Sequence, residues 1–330
     1  KGIHRCVPIL HGSQGCSTYI RRFLIGHYRE PVDIASSSFH ETDTVFGGGA
    51  QLSQAILNVD RQYRPRVIAV ATTCLAETIG EDVPRLLRGF ETQFPELAGR
   101  LLFSPAPSYE TTHVRGFQRA LRCTAQAFCA AGAAHHPRPG LVMPMGSPAD
   151  LRHLRDLCRA FGVDPIALGD YSDSMDGGLR DDVHGLVEGG TPVEELSKLP
   201  GSPLIFEFGG APLKESAGTW LNQAHGTPCL KLATPIGIEA TDTFLLALKA
   251  LTGRETPREI LDERLRLLDS LVDGHKLAGG ARIAVYGDAD LVVGLCRFLR
   301  EVGLEIALAA TGEERGALAF LAETGIQTAE

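Results

Sequence analysis

The sequence predicts an α/β protein built on parallel sheets. Short β-branched apolar runs alternate with helical patterns of about ten to fifteen residues, the signature of βαβ units. The 330 residues suffice for two or three domains of about 100–200 residues. The balance of 44% hydrophobic and 22% charged residues is ordinary for a globular chain and excludes disorder and collagen-like structure. Two stretches without helical or strand period, 132–139 and 170–190, punctuate the alternation.

A first strand is expected at 6–10, then helices at 17–27 and 51–62 and a buried strand at 67–71. A helix at 83–94, a strand at 101–104 and a helix at 113–131 complete the first block. The segment 132–139, with His135, His136, Pro137 and Pro139, reads as a linker. A second block opens with a strand at 141–145 and a helix begun by Ser147-Pro148, where Ser is a good N-cap and Pro suits the first turn. Strands at 165–168, 204–208 and 229–232 follow, with a helix at 239–251 ended by Gly253. Residues 170–190, rich in Asp and Gly, form a long loop of the kind that is often functional. A charged helix at 257–275 leads to a strand at 282–286, the turn Gly287-Asp288, a helix at 291–302 and a strand at 305–309. The expected domains are 1–136, 137–256 and 257–330, the last a connecting helix and the start of an incomplete third α/β domain. The opening at Lys1 reads as a chain lacking an N-terminal piece.

Several function classes drop out. No uncharged apolar run approaches the roughly 18–20 residues of a membrane span, so no membrane segment is expected. Lys+Arg 32 against Asp+Glu 40 gives −8, so no general attraction to nucleic acid is expected, and an acidic cytoplasmic protein is. The eight cysteines are too dilute for a disulfide framework, and no C-x-x-C occurs. There is no G-x-x-x-x-G-K-[ST] and no H-E-x-x-H. Gly47-Gly48-Gly49 lacks the dinucleotide register, because position 52 is Leu, and Gly12-Ser13-Gln14-Gly15 is not a nucleophile elbow.

Two cysteines in strand-to-helix loops remain. Cys16 follows the first strand at the start of a helix, where backbone amides and the positive helix end stabilise a thiolate. Cys74 follows the strand at 67–71, at the carboxyl edge where open α/β sheets hold their ligands. They could share one metal site, and two buried structural thiols would produce the same pattern. Cys123, Cys129, Cys158, Cys229 and Cys296 sit in helical or strand patterns and read as core thiols.

The segments His11-Gly12-Ser13-Gln14-Gly15-Cys16, Arg29-Glu30-Pro31, Thr44-Val45-Phe46-Gly47-Gly48, Thr72-Thr73-Cys74-Leu75-Ala76-Glu77 and Ile236-Gly237-Ile238-Glu239-Ala240-Thr241-Asp242 together resemble the nitrogenase component 1 family, on its β-chain side. Asp170-Tyr171-Ser172-Asp173, Gly189-Gly190-Thr191-Pro192 and Tyr286-Gly287-Asp288 continue the match in order, so it covers essentially the whole chain. The resemblance implies Rossmann-like domains, the third incomplete here, and an α2β2-type assembly with a homologous α-like partner. It implies that Cys16 and Cys74 are thiolate ligands of an iron–sulfur cluster at the α/β interface, as soft iron–sulfur sites require. Ser108 matches a serine that can ligate the oxidised cluster, and Tyr19 a tyrosine near it. The family's third β-side cysteine would precede Lys1 and Cys6 does not match it, so both a P-cluster-like [8Fe-7S] and a [4Fe-4S] centre stay open. Phe46 matches the position where an ATP-dependent iron protein docks. Arg29, Glu30, Asp269 and Asp273 match positions holding a divalent cation between β chains, a task suited to carboxylate and carbonyl oxygens.

The function implied is that of a β-like subunit of a nitrogenase or nitrogenase-like reductase, an oxidoreductase subunit active with its α-like partner. It takes electrons from the iron protein and delivers them through the cluster to a substrate held mainly by that partner. A β-like subunit of a cofactor-assembly scaffold is the alternative: Asp273-Gly274-His275 looks somewhat like scaffold chains, whereas Cys74 and Phe46 look more like catalytic β chains. A cluster-free structural partner is the second alternative.

Overall fold

The computed structural model describes residues 1–110, 112–179, 185–209, 216–313, 317–323 and 325–329. The chain divides into two compact units, Lys1–Ala131 with Gly146–Leu151 and Leu168–Lys198, and Gly132–Met145 with Arg152–Ala167 and Leu199–Glu330.

The first unit holds a four-stranded sheet of β1 (Cys6–His11), β2 (Ala35–Ser36), β3 (Val67–Thr72) and β4 (Leu101–Ser104), in the order β2-β1-β3-β4. β1 pairs in parallel with β2 and β3, and β3 with β4, so the carboxyl ends of these strands share one edge. Val7, Ile9, Ile68 and Val70 are buried against Leu52, Ile56, Leu87 and Phe90 of the flanking helices. Burying each such side chain stabilises the fold by about 1.5–3 kcal/mol. The helices Gly49–Tyr63 and Val83–Gln93 occupy nearly the spans their periodicity predicts. The second starts where Asp82 accepts the Arg85 N–H and Pro84 sits in the first turn. The helix at His113–Phe128 stops short of the expected residue 131, at Cys129.

The second unit carries two further sheets. β5 (Gly140–Val142), β6 (Ile166–Leu168), β7 (Ile205–Phe208) and β8 (Cys229–Leu232) lie in the order β6-β5-β7-β8. β9 (Arg282–Tyr286), β10 (Glu305–Ala310) and β11 (Thr328–Ala329) lie in the order β11-β10-β9. The helix Ile238–Thr252 ends, as its sequence predicts, at Gly253 in the left-handed region (φ 67°). The 21-residue helix Arg258–Ala278 has no fully buried residue. Among the described residues no helix is long and apolar enough to cross a membrane.

Local pattern misses several short helical segments. Asp43–Phe46, Cys74–Thr78 and Val193–Leu196 are single turns, too short to show a period. Ala217–His225 is opened by Ser216, which accepts the Thr219 N–H, and an early Gly218 masks its helical character. The expected loop 170–190 contains a helical turn, Ser172–Met175, while 180–184 lie outside the described residues. Its far end folds back on the N-terminal residues of the same unit, where Thr191 accepts the His4 N–H and gives its own to Gly2.

Candidate functional site

Three loops leave one edge of the first sheet. In the register, His11 lies opposite Thr72 and Ala71 opposite Ser104, so the loops after β1, β3 and β4 start side by side. They carry Cys16, Cys74 and Ser108 respectively. The first two are stitched together by the Thr73 N–H, which donates to the His11 carbonyl at 2.9 Å. Gly12 makes the close approach possible. Its φ is +149°, and a Cβ there would lie 1.8 Å from Thr73 Oγ1. The third loop is tied in by Thr72, whose hydroxyl accepts the Ala106 N–H at 2.9 Å and donates to Glu77.

Cys16 is the third residue of the helix Gln14–Tyr28 and is exposed. Cys74 opens the helical turn Cys74–Thr78 and is partly exposed. Its Sγ lies 2.7 Å from Ser108 Oγ. That hydroxyl, with nearby backbone amides, favours the thiolate and holds the Cys74 thiol below its ordinary value. Burial moves six other thiols the opposite way. Cys129, Cys158 and Cys229 are pushed up to about 12, and Cys6, Cys123 and Cys296 are also raised. A soft metal binds thiolate rather than thiol, so this contrast separates a ligand-ready cysteine from core thiols. Ser108→Ala removes the main stabilising donor. In iron-free protein the pH midpoint of Cys74 alkylation is therefore expected to move up, and an unchanged midpoint would remove Ser108 from the account.

The donor set around the two cysteines fits an iron–sulfur group. Next to each is a buried hydroxyl, Ser17 Oγ and Thr73 Oγ1, with no hydrogen-bond partner among the described residues. Both oxygens are covered by this chain's own atoms, so the fit rests on the soft sulfur donors, Cys16 exposed and Cys74 held toward thiolate, with the Ser108 hydroxyl beside Cys74. Among the described residues no cluster of three or more His, Cys, Asp or Glu side chains is placed to hold a metal ion.

Beneath the loops lies a polar network that no sequence motif announces. The His11 ring is fully buried between Ser37 Oγ, 3.0 Å from Nδ1, and the Glu81 carboxylate at Nε2. Ser37 Oγ also accepts the Gly12 N–H at 2.9 Å, and Glu81 accepts the Gly48 N–H. Burial pushes the His11 imidazole below its usual value, with Glu81 pulling the other way. Glu81 is 70 positions from His11, which is why sequence reading missed the pair. The one local signal was a histidine closing an apolar strand.

Phe46 is 87% exposed at the end of the turn Asp43–Phe46, beside the exposed Val45. The turn is held from behind by Asp43, buried, whose carboxylate accepts the His40 N–H at 2.6 Å. Tyr19 and Phe23 stand 61% and 72% exposed on the helix that carries Cys16, a helix with one buried residue, Ser17. Arg29 caps that helix in the left-handed region (φ 59°), its N–H donating to the Ile25 carbonyl, with Glu30 next to it. Asp269 and Asp273 are exposed on the helix Arg258–Ala278 of the other unit, and Asp273 pairs with Lys276 at 3.0 Å.

The chain is thus a parallel α/β protein that presents two cysteines and a serine beyond adjacent strand ends at one sheet edge. The family model of nitrogenase component 1 type oxidoreductases matches residues 1–327, and the chain belongs to that family. It is 35% identical to the nitrogenase molybdenum-iron protein beta chain of Clostridium pasteurianum over 99% of this chain and 72% of that protein. It is 30% identical to the nitrogenase iron-molybdenum cofactor biosynthesis protein NifN of Rhodobacter capsulatus, over 96% of this chain and 70% of that one. The solved structure of nitrogenase Cp1 at pH 6.5 superposes with a TM-score of 0.94 at 34% identity, covering 100% of this chain and 73% of that chain.

Proposed function

We propose that this chain is the β-like subunit of a nitrogenase or nitrogenase-like reductase, delivering electrons from an ATP-dependent iron protein toward a substrate site in an α-like partner. The observation that carries the reading is the Cys74–Ser108 pair at the same sheet edge as Cys16, with Cys74 held toward thiolate. Cys16 and Cys74, with Ser108 beside them, would hold an iron–sulfur cluster shared with the α-like partner, of the P-cluster-like [8Fe-7S] or the [4Fe-4S] type. When bound, such a cluster supplies one-electron redox chemistry at a potential tuned by hydrogen bonds and burial. This chain's own contribution is to hold two cysteines on a stiff sheet edge, to place the Ser108 hydroxyl beside Cys74, and to exclude water with Tyr19 and its helix once the partner covers them. Arg29, through its carbonyl, with Glu30, Asp269 and Asp273 would hold a divalent cation between β chains of an α2β2 assembly, in a cytoplasmic setting that keeps the thiols reduced.

The test is anaerobic purification of the full-length chain with its α-like partner, followed by iron and sulfide analysis and electron paramagnetic resonance. A cluster signal is expected, and an iron-free heterotetramer would overturn the reading. The likeness to NifN favours a second reading, the β-like subunit of a cofactor-assembly scaffold. Cys74→Ala helps discriminate: electron transfer lost with the assembly intact favours the reductase, and an unchanged cluster removes Cys74 as a ligand.

Phe46 is assigned to iron-protein docking. Being exposed, it contributes little to folding, so Phe46→Ala is expected to change stability by less than about 0.5 kcal/mol. As a docking anchor it is expected to raise the half-saturating iron-protein concentration about 30-fold, a loss of about 2 kcal/mol. Unchanged saturation would return Phe46 to the bland surface.

A further inference from the structure

Glu81 joins two loops far apart in sequence. Its side chain is 7% exposed; Oε1 accepts the Gly48 N–H and Oε2 meets His11 Nε2. The partners assign the imidazole tautomer. Ser37 Oγ accepts the Gly12 N–H and gives its own proton to His11 Nδ1, so Nε2 carries the proton that faces Glu81. Donors and acceptors are thus matched in an unbroken chain from Gly12, in the loop before Cys16, to Gly48, directly behind Val45 and Phe46. A packing link runs parallel to it. The Phe39 ring stands edge-on to His11 at 4.8 Å, the Phe39 backbone N–H donates to the Gly12 carbonyl at 2.9 Å, and a Cβ on Gly48 would lie 2.1 Å from the ring.

We propose that His11 and Glu81, joined to Gly12 through Ser37, form a buried positioning relay that locks the Phe46-bearing turn to the Cys16-bearing loop, so that a displacement of either is passed to the other. One tautomer alone leaves every donor facing an acceptor, so the two ends are coupled through a single matched set of hydrogen bonds, and loss of one bond weakens the others. Its meaning for docking rests on the function proposed above; the coupling itself does not.

The test therefore reads neither cluster nor iron protein. Residue-resolved amide hydrogen exchange is measured on the full-length chain in complex with its α-like partner, for wild type, Ser37→Ala, Glu81→Ala and Glu81→Gln. Ser37 has no hydrogen bond to Gly48, and Glu81 has none to Gly12. Ser37→Ala is nevertheless expected to speed exchange at Gly48 as well as Gly12, and Glu81→Ala at Gly12 as well as Gly48, each about five-fold, the loss of one ordinary hydrogen bond. Glu81→Gln retains an acceptor for Gly48, and a tautomer exchange at His11 satisfies the new amide, so its exchange is expected to stay near wild type. Acceleration confined to the loop that lost its own partner would overturn the relay. Should Glu81→Ala fail to fold, Ser37→Ala and Glu81→Gln decide alone. Wild-type protein lacking iron but showing coupled exchange would count against the proposed function and leave the relay standing.

Discussion

Cys16→Ala in the full-length chain is expected to abolish the cluster signal while the assembly with the α-like partner still forms. The side chain is exposed in the first turn of the helix Gln14–Tyr28, so its removal opens no cavity and breaks no core contact. An exposed substitution of this kind changes folding by less than about 0.5 kcal/mol. The effect on a bound group is of another order. Loss of a residue that merely orients a metal ligand costs about 10–100-fold in affinity, and loss of a ligating thiolate exceeds that. Iron and sulfide analysis beside size-exclusion chromatography separates the two terms. Full iron with an unchanged resonance would return Cys16 to a surface thiol, and loss of the assembly itself would show that the helix, not the ligand, had been damaged. The same substitution at Cys129 or Cys158 should behave in reverse, because burial holds those thiols protonated and packed. There stability is expected to fall and bound iron to stay.

Much of the site was legible because it is written locally. A thiol directly after an apolar strand, at 67–72, and another in the first turn of the next helix after 6–11 place both at a carboxyl edge by topology alone. Parallel pairing of β1 with β3 then sets side by side the strand ends from which their segments leave. The rest was not local. The two-residue strand β2 has no period to detect, and the turn that carries Phe46 exists because the buried Asp43 holds it, a contact no pattern of apolar residues reports. Glu81 reads in sequence as one more loop acid before the capping Asp82, and only the fold reveals that it faces a buried histidine. Fold class follows from periodicity, whereas the supports of a site follow from long-range pairs, and these are set by packing.

Gly12→Ala is expected to be the most damaging change in the first unit that removes no functional group. Two costs combine. A φ of +149° is one that L side chains rarely adopt, a strain of about 1–3 kcal/mol, and forcing an atom into a closed contact adds about 1–3 kcal/mol. The new Cβ would lie 1.8 Å from Thr73 Oγ1, 2.9 Å from its Cβ and 3.0 Å from its Cγ2, so something must move. What can move is the junction between the loops of Cys16 and Cys74. A total of about 2–6 kcal/mol is a large share of the roughly 5–15 kcal/mol by which domains are stable, and chemical denaturation should report it directly. The contact can be isolated by pairing the change with Thr73→Ala, which removes the hydroxyl oxygen and the methyl but leaves the backbone strain. If the clash carries the damage, the double variant recovers about 1–2 kcal/mol relative to the sum of the single changes. Strict additivity would mean that backbone strain, with the remaining approach to the Cβ at position 73, is responsible. In that case the Gly12–Thr73 side-chain contact does not set the junction of the two loops, and bound iron should survive Gly12→Ala in whatever fraction of the chain remains folded.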